Sequence, residues 1–319
     1  MRRKTKAKKL IGTVGNHDVD SRRHDDGRTS NGSLQRLVPV FPVKSRTISD
    51  RYWRTSFINV VDQEADANLL ILNSCSFHGL AKTKGTKANE HDRGKLSSET
   101  IAALAGSIKQ DLRSQNVLLV HHHLRRHPWL ADNSQMVGGE ELTELLRDSG
   151  KQWLVVHGHR HVPFLTYADG GATSPIVLSA GSVSAKPYAI RGRHPRNQIH
   201  YVQLSQNLPG GVGLKGTVTS WDWFPFVGWQ KANKESGLPY QCGFGFRGDL
   251  DDLATKVADS VERSSLKQRN WPDVTAEFTN LRTLIPQDID IFEDELKKRG
   301  AIIGFDRVGA PLLISWRGT

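Results

Sequence analysis

Three short segments of the chain carry side chains that could bind a metal ion. Residues 15–18 read Gly-Asn-His-Asp, residues 121–123 are three consecutive histidines, and residues 158–161 read Gly-His-Arg-His. Together they offer an amide oxygen, from Asn16, and several imidazole nitrogens. This mixture suits borderline ions such as Mn, Fe, Zn or Ni better than it suits Ca or Mg. The residue types therefore predict a transition-metal site.

Each segment directly follows an apolar run of the kind that forms a buried parallel strand. These runs are residues 10–14, 117–120 and 153–156. Because α/β proteins place their sites at the carboxyl ends of the strands, the three segments are expected to converge at one edge of a sheet. Gly158 allows a tight turn, and the alternate spacing of His159 and His161 can direct both imidazoles towards neighbouring metals.

This order of motifs resembles the calcineurin-like metallophosphoesterase superfamily. Residues 69–74 (LLILNS) resemble the family strand that ends in Asn-Ser, and Gly-Lys-Leu at 94–96 resembles the element before its fourth motif. Residues 178–184 (LSAGSVS) resemble the strand that follows Gly-His-x-His. The resemblance covers about residues 8–206. It implies an α/β sandwich in which mixed β-sheets are flanked by helices, and a dinuclear site that in the intact family holds two divalent transition metals (Mn, Fe, Zn or Ni).

The resemblance also assigns roles to individual residues. It implies four metal ligands, which are Asn16, His122, His159 and His161. His17 would contact the phosphate or protonate the leaving group, and Asp18 would orient His17. Within 121–123 the family ligand usually lies two positions before a proline, a place that Leu124 occupies here. His122 is therefore the expected ligand, with His121 as the alternative.

The chain departs from the family pattern at its start. The family opens with Asp-x-His and then Gly-Asp, whereas this chain contains no Asp-x-His, and its one Gly-Asp, at 248–249, comes too late. Two ions about 3.5–4 Å apart need anionic ligands, and the remaining ligands are neutral. We therefore expect one weakly bound ion or none, in a chain that is truncated at its N-terminus and lacks the first strands.

Composition predicts an ordinary soluble, cytoplasmic protein. The chain has 319 residues, of which 37% are hydrophobic, and it has two cysteines, too few for a disulfide framework. No apolar run approaches the roughly 20 residues of a membrane span, so no membrane partner is expected. Two domains are predicted: a phosphoesterase domain at 1–230 and a small α+β appendage at 231–319.

Apolar periodicity predicts the other elements. Helices are expected at 97–113, 140–147, 250–266 and 288–299. Short strands are expected at 176–180, 199–204, 216–221, 301–305 and 312–316. Asp249 is expected to cap the helix that begins after it.

The net charge of +11 favours an anionic partner, although a solvated surface explains it equally well. Basic residues cluster at 2–9, 22–28 and 186–196. The sequence thus predicts a metallophosphoesterase, and Asp18 in place of the glutamate typical of protein phosphatases favours nucleotide or nucleic-acid phosphoesters as substrates. Two alternatives stay open: an inactive fragment or partner-binding subunit that lacks half of the metal site, and a basic nucleic-acid-binding protein.

Overall fold

The computed structural model describes residues 9–20, 32–78, 93–111, 113–126, 134–169, 171–187, 194–205 and 213–318. The protein is a mixed α/β structure with several β-sheets. It forms two compact units, one of Met1–Arg160 with Ala168–Pro175 and one of His161–Tyr167 with Ile176–Thr319. The expected domain boundary after residue 230 stays a prediction. Most of the predicted basic clusters, at 2–8, 22–28 and 188–193, lie outside the described residues.

The first unit contains a sheet in the order β1-β2-β3-β4. Its strands are β1 (Phe57–Asp62), β2 (Ala67–Leu72), β3 (Gln115–Leu119) and β4 (Trp153–His157). Strands β1 and β2 are antiparallel, whereas β2, β3 and β4 are parallel. The helices of this unit are α1 (Gly32–Gln35), α2 (Arg46–Thr55), α3 (Ser98–Asp111) and α4 (Gly139–Asp148). The predicted strands at 117–120 and 153–156 and both predicted helices are confirmed.

The predicted strand at residues 10–14 is wrong. This segment has no strand pairing, and its polar groups bond elsewhere: Gly12 N–H donates to the Pro42 carbonyl at 3.2 Å and Thr13 Oγ1 donates to the Leu72 carbonyl at 2.7 Å. Both edges of β2 are already occupied, by β1 and β3, so β2 cannot pair with a further strand. Val14 is nevertheless fully buried in a core with Tyr52. The sequence of this segment resembles that of a strand because its apolar side chains pack into this core, although its backbone pairs with no strand.

The second unit begins with an antiparallel pair, β5 (Phe164–Tyr167) and β6 (Ile176–Ser179). It continues with an antiparallel sheet in which β8 pairs with three other strands. These strands are β7 (Gln198–Leu204), β8 (Gly216–Phe224), β9 (Gly228–Lys231) and β10 (Gln241–Phe244). The short strands predicted from residue 176 onwards are therefore confirmed.

The C-terminal part of the second unit has its own core, centred on Val257, Phe292 and Ile314. Its helices are α5 (Leu250–Arg263), α6 (Trp271–Glu277) and α7 (Pro286–Lys298). Its antiparallel sheet has the order β11-β13-β12, formed by β11 (Gln268–Asn270), β12 (Ala301–Phe305) and β13 (Pro311–Trp316). Asp249 accepts the N–H groups of Asp251 and Asp252, which confirms the predicted cap.

No helix within the described part of the chain is long and apolar enough to cross a membrane.

Candidate metal centre

The histidine segments of the first unit meet because three parallel strands end at the same level. Ile71 of β2 pairs with Leu119 of β3, and Leu119 pairs with Val156 of β4. Beyond the strand ends, Gly158 N–H still donates to the His121 carbonyl at 3.0 Å. The chain segments that follow β2, β3 and β4 therefore share the carboxyl edge of the sheet.

Three histidines form a cluster at this edge. One ring nitrogen of each of His121, His122 and His159 lies within 4.8 Å of the others. The ring centroids are 4.9 Å apart for His121 and His122, and 4.5 Å apart for His122 and His159. Both histidines that the sequence left as alternatives, His121 and His122, thus belong to one group with His159.

Asn16 joins this group through its amide. His121 Nε2 lies 3.0 Å from Asn16 Oδ1, and Asn16 is almost completely buried. Two ligand atoms that each lie about 2.1 Å from one ion are about 3.0 Å apart when the angle at the ion is a right angle, and about 3.4 Å apart when it is tetrahedral. The Asn16–His121 separation already fits that requirement, while the histidine nitrogens need to approach one another by at most about 1.8 Å. The predicted ligands His122 and His159 therefore lie together, and the predicted ligand Asn16 contacts the third histidine of the group, His121.

His122 is the most deeply buried member of the cluster. Its Nδ1 lies 2.8 Å from Ser74 Oγ, and its Nε2 has no hydrogen-bond partner among the described residues. Burial, reinforced by the neighbouring histidines, holds the pKa of His122 far below its ordinary value, so the imidazole is neutral. If Nδ1–H donates to Ser74, the lone pair of Nε2 is available to a metal, as in histidines oriented by an outer hydrogen bond.

The backbone around the cluster is constrained at two points. His159 has φ +72°, in the left-handed region that costs most residues about 1–2 kcal/mol. Gly94, at φ +66°, packs directly against His122, and a Cβ there would lie 2.6 Å from His122 Cγ. Such strain is concentrated at ligand sites, where surrounding contacts maintain it. The absence of a side chain at Gly94 therefore leaves room for the His122 ring.

The other predicted site residues are placed differently. His17 is exposed on the 3-10 turn Asn16–Asp18, and Asp18 Oδ2 accepts the Gly15 N–H at 2.8 Å, which closes that turn. His161 also has a positive φ, of 55°, and belongs to the second unit. The catalytic roles of His17 and Asp18 and the ligand role of His161 stay predictions.

The ligand chemistry fits one ion better than two. Neither ligand group found among the described residues contains a carboxylate. Three imidazoles are a known ligand set of catalytic zinc. Two adjacent divalent ions would leave four positive charges without a negative ligand. The cluster is thus compatible with a single transition-metal ion.

The sequence reasoning missed a second ligand group that contains Cys75, His78 and His122. The signal was present as Cys-x-x-His at 75–78, but the two residues lie outside the motifs that carried the resemblance. Burial raises the pKa of the Cys75 thiol well above its ordinary value, so without a bound cation it stays protonated. Ser74, the oxygen partner of His122, was noted only as part of a strand end.

Comparison with known proteins gives limited similarity. Residues 242–298 match a family model described as wHTH-Calcineurin_assc, a winged helix-turn-helix. No curated protein matches the chain. A solved structure described as "Structure of PhoD" is similar at 11% identity and a TM-score of 0.29, over 40% of this chain and 28% of that one. The chain thus spans just over a quarter of the length of that protein, and a similarity of this size assigns no function.

Proposed function

We propose that this chain is a metal-dependent phosphoester hydrolase of the calcineurin-like class that uses a single transition-metal ion. The observation that carries the proposal is the cluster of Asn16, His121, His122 and His159 at one edge of a parallel sheet. These residues come from three motifs that are far apart in the sequence. Their convergence supports the motif assignment, because the ring nitrogens of the three histidines lie within 4.8 Å of one another and can approach a single ion.

The ion would supply Lewis acidity, withdrawing electron density from the phosphoryl oxygens of the substrate. The protein residues would do the remaining work. The buried imidazoles of His122 and His159 and the half-buried imidazole of His121 would hold the ion, and Ser74 orients the His122 ring. His17 lies next to the ligand Asn16 and is exposed, so it can reach a substrate and donate a proton to the leaving oxygen.

The substrate class that we propose is a nucleotide or nucleic-acid phosphodiester. The net charge of +11 supports an anionic substrate, since a positive surface attracts it over a distance of about one Debye length, roughly 8–10 Å. A diester also carries less negative charge than a monoester. One ion without carboxylate ligands therefore has less phosphate charge to compensate, which favours diesters over monoesters.

The test is manganese-dependent hydrolysis of bis-p-nitrophenyl phosphate by the full chain. His159→Ala removes one proposed ligand, and His194→Ala removes an exposed histidine that belongs to neither ligand group. We expect His159→Ala to lose at least about a hundredfold in kcat/KM, because removing even outer-sphere partners of a metal costs 10–100-fold. His194→Ala should retain activity. Equal activity of both variants would refute the proposal.

The C-terminal fold supports a second proposal, namely contact with a protein partner rather than with DNA. The order α5, β11, α6, α7, β12, β13 agrees with the winged helix-turn-helix match, and α7 occupies the place of a recognition helix. However, α7 carries five acidic residues against two lysines. Both lysines already pair with acidic residues of the same helix: Lys297 with Glu293 at 2.8 Å and Lys298 with Glu295 at 2.6 Å. Such a helix would repel a phosphate backbone.

A further inference from the structure

We propose that Cys75, His78 and His122 form a zinc site that is distinct from the proposed hydrolytic centre. Both sites would use His122 Nε2, because Nδ1 contacts Ser74 Oγ, so the two sites are alternative positions for one ion, and zinc binding at the Cys75 site does not depend on hydrolysis. Its ligand set of one thiolate and two imidazoles is soft enough to select zinc over manganese. The Cys75 thiolate would also give this ligand set one negative charge, which partly offsets the charge of the bound ion.

The site is prepared by a tight turn that follows β2. Cys75 N–H donates to Asn73 Oδ1 at 2.9 Å, and His78 N–H donates to the Cys75 carbonyl at 3.0 Å. These bonds bring side chains three positions apart to the same side of the turn. This Cys-x-x-His spacing gives the same separation as the paired ligands of structural zinc sites.

The third ligand is contributed by the segment after β3. The rings of His78 and His122 are 5.3 Å apart in an edge-to-face arrangement, and one atom from each of the three side chains lies within 4.8 Å of the others. Ligand atoms of a tetrahedral zinc ion are about 3.4–3.6 Å apart, as bond lengths of about 2.1 Å to nitrogen and 2.3 Å to sulfur require. A contraction of at most about 1.4 Å would bring the three atoms to the spacing of ligands on one zinc ion.

The burial of all three side chains favours a metal site over a cysteine that is merely packed in the core. Cys75, His78 and His122 are each at most 2% exposed, so three groups with polar or ionisable atoms share one interior position. Cys75 Sγ donates a weak hydrogen bond to the Val14 carbonyl at 3.4 Å. On zinc binding the S–H proton would pass to solvent, and the sulfur–metal bond would replace that contact.

The experiment is titration of the full chain with Co²⁺, a spectroscopic substitute for zinc that shows a near-ultraviolet charge-transfer band when a thiolate binds it. Cys242→Ala is the decisive variant, because it leaves Cys75 as the one remaining thiol without altering the proposed site. We expect this variant to keep the full band and to bind about one cobalt with a sulfur ligand per chain. Zinc should displace the cobalt and abolish the band.

Variants at the site provide the complementary test. Cys75→Ser and His78→Ala should reduce the band at least tenfold, whereas His159→Ala should retain it. No band in the wild type or in Cys242→Ala would overturn the zinc site, whatever the hydrolysis assay shows. If hydrolysis is absent but the Cys242→Ala band is present, the hydrolase proposal fails and the zinc site stands. Because Cys242→Ala does not touch the site, the test holds even if Cys75→Ser fails to fold.

Discussion

Gly94→Ala should damage both the stability of the protein and its metal site. At φ +66° an L residue pays roughly 1–2 kcal/mol for the left-handed conformation. The new Cβ would also lie 2.6 Å from His122 Cγ, and overpacking of this kind costs roughly 1–3 kcal/mol. Alanine recovers roughly 0.4–1 kcal/mol by reducing the entropy of the unfolded chain. The free energy of unfolding should therefore fall by roughly 1–5 kcal/mol.

Gly150→Ala is the matched control for the cost of placing alanine in a left-handed backbone conformation. Gly150 has φ +76°, but its Cβ would meet no described atom within 4 Å. Its unfolding free energy should fall by roughly 1 kcal/mol, from backbone strain alone. Urea denaturation of the full chain measures both losses, and a metal titration should show weaker binding for Gly94→Ala only. Equal losses in the two variants, with unchanged metal binding, would refute the role assigned to Gly94.

Three further predictions concern the second unit. Burial lowers the pKa of His200 from 6.5 to about 4, so as the pH falls the unfolded chain is protonated at His200 before the folded chain. The contribution of this histidine to the free energy of unfolding is therefore fully present above about pH 6.5. It should fall by up to about 3 kcal/mol towards pH 4. Unfolding curves at several pH values should show a smaller fall for His200→Gln, and an identical fall would contradict this cause. Asp249→Ala removes the cap of α5, so the free energy of unfolding measured by urea denaturation should fall by about 1 kcal/mol. Asp252→Ala removes only an exposed ion pair, and its free energy of unfolding should fall by less than about 0.5 kcal/mol. Replacing both α7 lysines with alanine should leave the salt dependence of DNA duplex binding, measured by fluorescence anisotropy, unchanged. If the slope of the logarithm of the binding constant against the logarithm of the salt concentration became smaller by about 1 per lysine, α7 would contact phosphates.

The elements nearest to the metal cluster were the easiest to predict from the sequence. Strands β3 and β4 are continuous apolar runs, and such runs indicate strands that are covered on both faces. The histidines after them were identified because parallel strands bring their carboxyl ends to one edge. The choice between His121 and His122 could not be made by spacing. In the fold the turn after β3 lets both rings face His159.

The parts that the sequence did not predict depend on tertiary contacts. Residues 10–14 have the composition of a strand, but the antiparallel partner β1 occupies the edge of β2. Helix α2 was not predicted, since it lies in a stretch rich in polar residues and its Tyr52 is buried only through long-range packing. The Cys75 group was missed because His122 joins it from a segment 44 residues beyond His78. Local patterns carry no information about such distant neighbours.

The central claim is that metal bound at the histidine cluster is required for phosphodiester hydrolysis. The most direct test measures bound manganese per chain and the hydrolysis rate of bis-p-nitrophenyl phosphate on the same samples, across a manganese titration. The rate should rise in proportion to the bound metal and reach its plateau at about one ion per chain. Hydrolysis that is independent of bound manganese, or one bound ion with no hydrolysis, would contradict the claim.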